Sequence, residues 1–316
     1  MTDLEKQLYS LLKDACHDCN SDTIALSGGL DSTIIAYFLQ EKKPNGITII
    51  AEDFVATDLT YCQLVSKKFE IPLQLFKAPT PEIISGIDET IKILENFNDI
   101  EIRNNVVMYL VMNAIKKEGK KGVITGDGAD EIFAGYNFLK QKSESELKEE
   151  LTRIRKIMHF PAKKIGDALE IKVESPFTNE KIIEFAKNIP TKLLVNSHNN
   201  VIYGKWILRK TFENKIPSQI TWREKSPMQD GSGTNGLTDL FDSIIPDTVF
   251  EEKKKNIEEK DGVIIRSKEA LHYYEIYRKF FEKPENRHHT ELQCPYCKHS
   301  IKEKSKFCRM CGAFPI

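Results

Sequence analysis

A short glycine-rich segment near the N-terminus has the residue types of a phosphate-binding turn. It reads Ser27-Gly28-Gly29-Leu30-Asp31-Ser32 and stands between a short apolar run at residues 23–27 and a helical pattern at residues 30–40. Where a parallel strand turns into a helix, free backbone N–H groups and the helix dipole converge on an anion. The two glycines allow close backbone approach, and Ser27 and Ser32 add hydroxyl donors. The segment therefore predicts a site for the phosphates of a nucleotide.

Asp31 is the unusual member of this turn. A carboxylate among phosphates is repelled unless a cation lies between them, so Asp31 predicts bound Mg²⁺. A second oxygen ligand is expected from another strand end, and Gly126-Asp127-Gly128-Ala129-Asp130-Glu131 follows the apolar run at residues 122–125. By itself this acidic turn also fits a structural helix cap. Because ligands of open α/β sheets bind beyond the carboxyl ends of the strands, we expect the two turns to face one site.

The surrounding elements predict the sheet that positions these turns. Strands are predicted at residues 23–27, 46–51, 72–76 and 122–125, and helices at residues 30–40, 59–69, 81–97 and 105–117. Repeated strand–helix units of this kind predict a doubly wound parallel α/β sheet. After Tyr136 the strand signals fade, and helices are predicted at residues 143–157, 181–189, 203–212 and 267–281, with a solvated charged helix face or linker at 251–260.

Bulk composition limits the class of protein. The chain has 316 residues, of which 40% are hydrophobic, enough for one large or two ordinary domains with their own cores. Charged residues make up 29% and cancel to a net charge of -1, so no global basic field attracts nucleic acid or an anionic membrane. The first residues lack a secretory signal pattern, and no stretch approaches the roughly 18 apolar residues of a membrane span. We expect a cytoplasmic location and no membrane partner.

Four cysteines form two knuckles near the C-terminal end. Cys294-Pro295-Tyr296-Cys297 and Cys308-Arg309-Met310-Cys311 are Cys-x-x-Cys units separated by ten residues, the spacing of a zinc ribbon. The pair predicts a closed, structural S₄ zinc site, which would also stabilise a segment too small to hold itself by burial. A disulfide pair or an iron site is the alternative. Cys16 and Cys19 share the spacing but have no second knuckle nearby, so we assign them no role.

The predicted domain order follows from these patterns. Residues 1–140 form the nucleotide-binding α/β domain, residues 141–283 a helical half that completes the site, residues 284–290 a linker containing His288 and His289, and residues 291–316 the ribbon. The ribbon has five Lys or Arg against two acids, but the charge of zinc-bound thiolates offsets most of this excess. We therefore expect either RNA or a partner protein at the ribbon.

Several motifs resemble the synthetase domain of asparagine synthetases and their relatives, including β-lactam synthetases. They are LSGGLDST (residues 26–33), GDGADEIFAGY (126–136), SPF (175–177), YGKWILRKTF (203–212) and IPSQITWREK (216–225), in the family's order over roughly residues 5–282. The SGGxDS turn itself resembles the signature of the ATP pyrophosphatase superfamily and lacks the spacing of a Walker loop. The resemblance implies an adenine nucleotide alpha hydrolase-like fold and cleavage of ATP between its α and β phosphates.

The resemblance also implies an AMP-forming carbon–nitrogen ligase with ATP, Mg²⁺ and a small-molecule carboxylate. Family members adenylate the carboxylate, release pyrophosphate and let a nitrogen nucleophile attack the acyl adenylate. Carried over to this sequence, the pyrophosphate and its metal would be held by Ser27, Gly28, Gly29, Asp31 and Ser32, with Asp130 as the matching metal ligand. Leu26, Ala51 and Gly126 would lie along the nucleoside, Lys225 would approach the α-phosphate, and Asp127 would orient the acceptor carboxylate or ammonia.

The sequence departs from the family's pattern in three places. The usual Glu-x-Arg-x-Pro-Phe-Leu-Asp is Lys172-Val173-Glu174-Ser175-Pro176-Phe177-Thr178-Asn179 here, and the usual glutamate of the acidic turn is Asp127. Both changes are expected near the second substrate, so the identity of the carboxylate stays open. Residue 2 is Thr2, and we expect no glutaminase domain before the first strand. The nitrogen source is then free ammonia, a separate glutaminase subunit or another amine.

Two further segments have predicted roles beside the site. Residues 227–234, rich in glycine and small polar residues, predict a lid that orders over ATP and excludes water. Lys205 and Arg209 share one helical face and either contact phosphate or pair with acids of the first domain.

Two other function classes fit parts of the sequence. A tRNA-modifying enzyme shares the SGGxDS turn and the zinc ribbon, and would adenylate a nucleobase while the ribbon contacts RNA. It would need a catalytic cysteine near the site, for which only Cys62 is available. A non-catalytic ATP-binding regulator is disfavoured by the intact Asp31, Asp130 and Lys225. The GDGADE and WREK motifs favour the amide-forming ligase.

Overall fold

The computed structural model describes residues 1–287, 292–303 and 305–316. The strands are β1 (Thr23–Ala25), β2 (Asn45–Ala51), β3 (Leu73–Ala78), β4 (Gly122–Ile124), β5 (Lys172–Glu174), β6 (Asn196–His198) and β7 (Val201–Tyr203). The helices are α1 (Asp3–His17), α2 (Leu30–Leu39), α3 (Leu59–Phe69), α4 (Thr80–Leu94), α5 (Asp99–Lys117), α6 (Ala129–Ile132), α7 (Glu144–Ile157), α8 (Pro161–Leu169), α9 (Glu180–Lys187), α10 (Trp206–Phe212), α11 (Ser218–Thr221), α12 (Met228–Ser232), α13 (Gly236–Ile244), α14 (Asp247–Asp261) and α15 (Lys268–Phe280). The predicted linker residues His288 and His289 and the first ribbon residue, Glu291, lie outside the described residues.

The central sheet has the strand order β3-β2-β1-β4-β5. β1 pairs in parallel with β2 and with β4, and β4 pairs in parallel with β5. The chain builds outward from β1 to β3 and then returns to the other side of β1 at β4. The winding direction therefore changes between β1 and β4, and ligands of such sheets bind at the carboxyl ends of the strands at this point. The predicted doubly wound α/β class is confirmed.

Strands also occur after Tyr136, where the sequence pattern predicts mainly helices. β5 extends the sheet, but its three residues are exposed or only half-buried, so no apolar run marks it in the sequence. β6 and β7 form a small antiparallel hairpin ahead of α10. α14 buries none of its residues, in agreement with the solvated charged helix predicted there.

Local signals account for several helix ends. Thr2 and Ser143 each form a capping box, with Glu5 and Glu146 respectively, at the starts of α1 and α7. Gly262 ends α14 in a left-handed conformation with a φ of 67°. Among the described residues, none of the helices combines the length and apolar character needed to cross a lipid bilayer.

The chain divides into two compact units. The first comprises Met1–Ile49, Thr57–Phe76 and Val111–Pro227, and the second comprises Ile50–Ala56, Lys77–Leu110 and Met228–Ile316. The domain boundaries predicted from the sequence stay predictions.

The core of the first unit holds helix α10, which follows directly after Lys205. Apolar side chains of α1, α2, α7, α9 and α10 pack around β1 and β4. Phe212 of α10 stacks on Tyr9 at a ring-centroid distance of 5.9 Å and meets Phe38 edge-on at 5.5 Å. These aromatic contacts stabilise α10 against α1 and α2.

The second unit has a buried ion pair at its centre. Glu269 of α15 is 2% exposed, and its carboxylate lies 3.2 Å from Nε of Arg103 on α5. The same carboxylate accepts hydrogen bonds from Thr238 Oγ1 at 2.9 Å and Tyr273 Oη at 2.8 Å. Because a buried charge is costly unless it is paired and hydrogen-bonded, these contacts define how α5, α13 and α15 pack.

Candidate functional site

The glycine-rich turn lies between β1 and α2, as predicted. Gly28 has a φ of 66°, and a Cβ there would lie 2.5 Å from the carbonyl carbon of Tyr61, so only glycine fits. Ser27 Oγ lies 3.1 Å from Ser32 Oγ and accepts a hydrogen bond from the N–H of Gly29 at 3.3 Å. Gly29 is the N-cap of α2 and supplies no side-chain cap. The turn thus has the helix N-terminal geometry that suits an anion.

Lys205 brings together the two predicted metal ligands. Its Nζ lies 2.7 Å from Asp31 Oδ2 and 2.7 Å from Asp130 Oδ1. The other oxygen of Asp130, Oδ2, lies 2.7 Å from Nζ of Lys225. Carboxylates and ammonium groups therefore alternate in the order Asp31, Lys205, Asp130, Lys225, which we call the carboxylate–lysine cluster. Of the two roles predicted for Lys205, the structure shows pairing with acids.

The ammonium groups stabilise the negative charge of Asp130, whereas at Asp31 burial outweighs the attraction of Lys205 and raises the pKa of the carboxyl group. Burial alone would raise the pKa of Asp130, but the ammonium groups of Lys205 and Lys225 outweigh burial and hold that pKa well below its ordinary value. Burial would lower the pKa of Lys205, but the carboxylates of Asp130 and Asp31 raise it above the ordinary value. Asp130 is therefore an anion and Lys205 a cation throughout the neutral pH range.

Two glycines make room for the cluster. A Cβ at Gly135 would lie 1.8 Å from Asp130 Oδ1 and 2.3 Å from Lys205 Cε, and one at Gly204 would lie 2.1 Å from the carbonyl oxygen of Ala134. Lys205 itself has a left-handed backbone with a φ of 55°, and its N–H donates to the carbonyl oxygen of Phe133 at 3.0 Å. Strained non-glycine backbone of this kind persists only where surrounding contacts fix it.

Arg209 links the segments that carry the two lysines. Its side chain is 5% exposed, and Nε donates to the carbonyl oxygen of Gly204 at 2.9 Å. Nη1 donates to the carbonyl oxygens of Thr221 and, at 3.0 Å, of Arg223. Arg209 thus bonds to backbone carbonyls and supports the chain on either side of the cluster, and its contact with phosphate stays a prediction.

Arg223 holds the Lys225 segment from the other side. Its guanidinium lies over the ring of Tyr61, 3.7 Å from the centroid, and donates to Asp58 Oδ1 at 2.8 Å. Tyr61 and Asp58 belong to the start of α3, next to the glycine-rich turn. Arg223 of the WREK motif therefore contacts the start of α3, which lies against the glycine-rich turn of the predicted phosphate site.

Asp127 lies beside the cluster in a different environment. Its Oδ2 accepts a hydrogen bond from Thr125 Oγ1 at 2.9 Å, and that hydroxyl lies 2.8 Å from Ser175 Oγ. Burial raises the pKa of Asp127 to about 6, with the Thr125 hydrogen bond opposing it. Burial also raises the pKa of Glu131, whose carboxylate accepts a 2.5 Å hydrogen bond from Tyr136 Oη. A carboxyl group that titrates near neutral pH can orient or exchange protons with a nucleophile.

Two residues of the altered Lys172–Asn179 segment have local partners. The Glu174 carboxylate accepts hydrogen bonds from the N–H groups of Asn20 and Ser21 at 3.0 and 2.8 Å and pairs with Lys172 at 2.8 Å. Asn179 is the N-cap of α9, where its Oδ1 accepts from the N–H of Lys181 at 3.0 Å. Both residues therefore have contacts that explain them structurally.

The residues predicted to lie along the nucleoside are at strand ends. Gly126 follows β4, and a Cβ there would lie 2.9 Å from Asp31 Cβ. Leu26 follows β1, and its carbonyl oxygen accepts from Thr48 Oγ1 and from Cys62 Sγ. Ala51 is the last residue of β2. Their contacts with a nucleoside stay a prediction.

Cys62 is a buried thiol. Burial raises its pKa to about 12, so it is protonated at neutral pH and unreactive as a nucleophile.

The predicted lid, residues 227–234, is partly helical, and its residues from Met228 onward belong to the second unit. Met228–Ser232 form α12, and Thr234 Oγ1 donates to the carbonyl oxygen of Arg103 at 3.0 Å. Gly233 follows with a φ of 89° and has the carbonyl oxygen of Val55 close by. Closure over a nucleotide stays a prediction.

The carboxylate–lysine cluster fits a divalent cation. Carboxylate oxygens are the ligands that Mg²⁺ prefers, and two strand-end carboxylates here converge on one cation, the ammonium group of Lys205. Asp31 Oδ1 is buried and, within the described parts of the chain, makes no hydrogen bond. An uncompensated carboxylate oxygen of this kind is suited to metal coordination.

The four tail cysteines form a second candidate metal site. Their sulfur atoms all lie within 4.8 Å of one another, with Cys294 Sγ 3.8 Å from Cys311 Sγ and Cys297 Sγ 3.7 Å from Cys308 Sγ. Sulfur atoms at about 2.3 Å from a tetrahedral zinc ion are about 3.8 Å apart. The thiols therefore fit a metal of this size, and we call them the cysteine cluster.

The two knuckles have the same backbone structure. The N–H of Cys294 donates to the carbonyl oxygen of His299, and that of Cys308 to Ala313. The residue after each second cysteine is left-handed, with a φ of 59° at Lys298 and 73° at Gly312. The repeated geometry is why the spacing alone identified the site.

The cysteine cluster is packed into the second unit. Phe97 N–H donates to the carbonyl oxygen of Met310 at 3.0 Å, and Ile264 N–H to that of Tyr296 at 2.7 Å. Arg266 Nη2 donates to the carbonyl oxygen of Cys311 at 2.7 Å. The segment before α5 and the one before α15 therefore both contact the tail.

Comparison with curated proteins finds asparagine synthetases among the relatives of this chain. A probable glutamine-hydrolyzing asparagine synthetase of Dictyostelium discoideum is 27% identical over 296 residues, covering 82% of this chain and 51% of that protein. Glutamine-hydrolyzing asparagine synthetase 2 of Oryza sativa subsp. japonica is 28% identical over 291 residues, covering 82% and 47%. The chain thus spans about half the length of the curated relatives it matches.

Among solved structures, an NMN synthetase from Francisella tularensis superposes with a TM-score of 0.39 and 12% sequence identity, covering 88% of this chain and 92% of that one.

The family profile described as asparagine synthase matches residues 7–168 and 145–296. These matched stretches contain the turns after β1 and β4 and all four members of the carboxylate–lysine cluster. With more than half of its length matched, the chain belongs to the asparagine synthase family.

Proposed function

We propose that this chain is the synthetase part of an ATP-dependent ligase that adenylates a carboxylate, releases pyrophosphate and joins the acyl group to ammonia or another amine. The observation that carries the proposal is the meeting of Asp31 and Asp130, from the turns after β1 and β4, at one buried ammonium group. Membership of the asparagine synthase family supports it.

Each part of the site has a proposed task. ATP bound with Mg²⁺ would supply the adenylyl group that activates the carboxylate and the pyrophosphate leaving group. Ser27, Gly28, Gly29 and Ser32 hold the leaving phosphates through N–H and hydroxyl donors, while Asp31 and Asp130 hold the metal. Lys225 stabilises the negative charge that builds on the phosphate oxygens, because a fixed cation needs no reorganisation during the reaction.

We propose that Asp127 orients the acceptor carboxylate or the nitrogen nucleophile. With a pKa raised by burial to about 6, its carboxyl group is mainly ionised at pH 7 and still close to proton exchange. Its hydrogen bond from Thr125 fixes the direction of the carboxylate. An ionised Asp127 suits an ammonium or amino group more than a second anion.

The nitrogen source and the tail metal complete the proposal. The relatives named above are glutamine-hydrolyzing, and this chain covers about half of their length. We propose free ammonia, a separate glutaminase subunit or another amine as the donor. For the cysteine cluster we propose a closed S₄ zinc site with a structural role, and a protein or RNA partner at the tail surface.

The nucleobase-adenylating alternative has less support. The family match is to asparagine synthase, and Cys62, the cysteine available for that chemistry, is a buried thiol with a pKa raised to about 12. A catalytic cysteine needs access and a lowered pKa.

A pyrophosphate-release assay tests the proposal. The purified full chain is given ATP, Mg²⁺ and ammonia with each amino acid in turn, and bulk tRNA in a separate arm. Asp31→Asn and Lys225→Ala are expected to lower pyrophosphate release by on the order of 10³-fold, since each removes a charge from the reacting phosphates. Cys294→Ser is expected to leave turnover of small substrates largely intact.

Lys163→Ala, an exposed lysine of α8, serves as the matched control for Lys225→Ala. Wild-type rates in Asp31→Asn and Lys225→Ala would contradict the site assignment. Release of ADP and orthophosphate in place of AMP and pyrophosphate would contradict the reaction itself. Activity with tRNA but with none of the amino acids would favour the nucleobase alternative.

A further inference from the structure

We propose that Lys205 is an internal cation that occupies the divalent-metal position of the nucleotide-free enzyme and leaves it when metal arrives together with nucleotide. The inference rests on the proposed function, because it assigns the metal to Asp31 and Asp130. It adds a binding order: free divalent cation is excluded until the nucleotide gives Lys205 a new partner.

The position of the ammonium group carries the first step. Lys205 Nζ is 2.7 Å from an oxygen of each aspartate, and its side chain is 6% exposed. An ammonium group shared by two carboxylates from separate strand-end turns has the location of a bridging metal ion. Asp31 and Asp130 therefore cannot share a metal ion unless the Lys205 ammonium group first moves away.

The charge balance gives the second step. Within the cluster, Asp31 and Asp130 face Lys205 and Lys225 at contact distance. A divalent cation alone would have to break the contacts of the buried Lys205 ammonium group with both carboxylates, which is costly at low dielectric. The phosphates of a nucleotide bring the negative charge that the displaced ammonium group needs.

The backbone of Lys205 gives the third step. Its left-handed conformation is held by a hydrogen bond to Phe133 and by Arg209, which bonds to the preceding carbonyl of Gly204. The ammonium group, in contrast, ends a flexible four-carbon chain. Exchange of partners therefore needs side-chain rotation only, and the site keeps its shape while its cation changes.

Thermodynamic linkage then fixes what can be measured. If Lys205 opposes free metal and favours bound phosphate, metal and nucleotide must strengthen each other's binding by the same factor. Replacing Lys205 by a neutral side chain of similar length should raise affinity for free metal and weaken this mutual effect. Both the gain in affinity for free metal and the weaker mutual effect should depend on the presence of Asp31.

Mn²⁺ binding, measured from the EPR signal of the free ion, tests the inference without any turnover. The full chain with its tail loaded with zinc is titrated with Mn²⁺ alone and with Mn²⁺ plus a non-hydrolysable ATP analogue. Wild type is expected to show no Asp31-dependent Mn²⁺ site until the analogue is added. Lys205→Met is expected to bind free Mn²⁺ on the order of tenfold or more tightly than wild type.

Two controls locate the effect. Lys205→Met combined with Asp31→Asn should lose the gained Mn²⁺ site, and Lys163→Met should behave as wild type. Lys205→Gln repeats the test if the methionine variant does not fold. If neither variant folds, the wild-type titration decides, with Asp31→Asn as its baseline.

The outcomes separate this inference from the proposed function. An Asp31-dependent Mn²⁺ site in wild type without nucleotide would overturn the inference alone, as would unchanged Mn²⁺ affinity in a folded Lys205 variant. No metal-dependent uptake of the analogue by wild type would overturn the proposed function, and the inference with it.

Discussion

The carboxylate–lysine cluster of the first unit and the cysteine cluster of the second both bring acidic ligand atoms together, but their charges are compensated differently. In the first, the chain supplies the compensating cations, Lys205 and Lys225, at 2.7 Å. In the second, sulfur atoms face one another at 3.7 and 3.8 Å, and we expect the compensating cation to come from solution.

We expect this difference to separate a site that can exchange its cation from one that needs its cation to fold. Ion pairs with lysine compensate the half-buried carboxylates before any ligand is bound, and the lysines can change partners. Four thiols have no comparable compensation within the cluster, so we expect metal binding and folding to be coupled there. The predictions below test this contrast, beginning with the largest expected effect.

Gly135→Ala should damage the carboxylate–lysine cluster most. The added Cβ would lie 1.8 Å from Asp130 Oδ1 and 2.3 Å from Lys205 Cε, so both side chains have to move. We expect affinity for the metal–nucleotide complex to fall by on the order of 10³-fold, since the displaced groups are the proposed ligand and its counter-ion. Calorimetric titration with a non-hydrolysable ATP analogue and Mg²⁺ measures the change.

Gly119→Ala is the matched control. A Cβ at Gly119 meets nothing within 4 Å, although its φ of 74° is strained for alanine. It should lower the free energy of unfolding by roughly 1 kcal/mol and leave nucleotide affinity unchanged. Equal nucleotide affinities in Gly135→Ala and Gly119→Ala would show that the cluster does not hold the ligand.

Removing the cysteine cluster should have the opposite profile. Cys297→Ser with Cys308→Ser takes one sulfur from each knuckle, so the four-ligand shell cannot close. We expect loss of zinc by elemental analysis and a fall in Tm of about 10 °C, from several kcal/mol of lost stability. Affinity for the ATP analogue should change by less than about threefold.

Cys16→Ser with Cys19→Ser controls for the loss of two thiols, since neither residue belongs to the cysteine cluster. Its zinc content should equal that of wild type. If the tail double variant lost nucleotide binding as completely as Gly135→Ala does, the contrast between a ligand site and a folding site would be wrong.

The same contrast explains which parts of the molecule could be predicted. Both knuckles and the glycine-rich turn are local, because a few consecutive residues determine the geometry of each. The sequence does not decide between the two roles of Lys205, because its partner Asp31 is 174 positions away and only the fold brings them together. Strand β5 was missed since its exposed and half-buried residues give no apolar pattern.

The departures from the family's pattern show a second limit of sequence analysis. The sequence predicts Glu174 and Asn179 near the second substrate, and their observed contacts are with backbone N–H groups at residues 20, 21 and 181 and, for Glu174, with Lys172. A side chain that replaces a family residue can take a purely structural role, and only its hydrogen-bond partners reveal this. Asp127 is the altered residue with contacts beside the cluster, through Thr125 to Ser175.

Asp127 is a half-buried carboxyl group beside the cluster, and its partner is the Thr125 hydroxyl, whereas Asp130 is paired with lysines. Burial raises its pKa to about 6 from 3.8. The folded state therefore binds this proton more tightly than the unfolded state. Above pH 6 the ionised Asp127 carboxylate lowers the free energy of unfolding by its full amount. This loss of stability disappears as the pH falls from 6 toward 4, because the carboxyl group becomes protonated in the folded state.

Between pH 7 and pH 5, wild type should gain roughly 1 kcal/mol in the free energy of unfolding relative to Asp127→Asn. Urea denaturation of both proteins at the two pH values measures the difference. Parallel pH dependence would mean that Asp127 titrates as an ordinary exposed carboxyl group, and the contrast with Asp130 would be lost.

The smallest effect is expected from loosening the cysteine cluster without opening it. Arg266→Met removes the 2.7 Å hydrogen bond to the carbonyl oxygen of Cys311, from a side chain that is 33% exposed. The free energy of unfolding should fall by less than about 1 kcal/mol, which corresponds to a fall in Tm of about 2 °C. Arg278→Met, which replaces a similarly exposed arginine paired with Asp261 at 3.3 Å, is the control.

Zinc content should stay at one per chain in both variants, because we expect the metal bonds, and not the contacts with neighbouring segments, to close the cluster. A fall in zinc content with Arg266→Met would mean that closure depends on the neighbouring structure, and the cysteine cluster would then resemble the carboxylate–lysine cluster in relying on the chain around it.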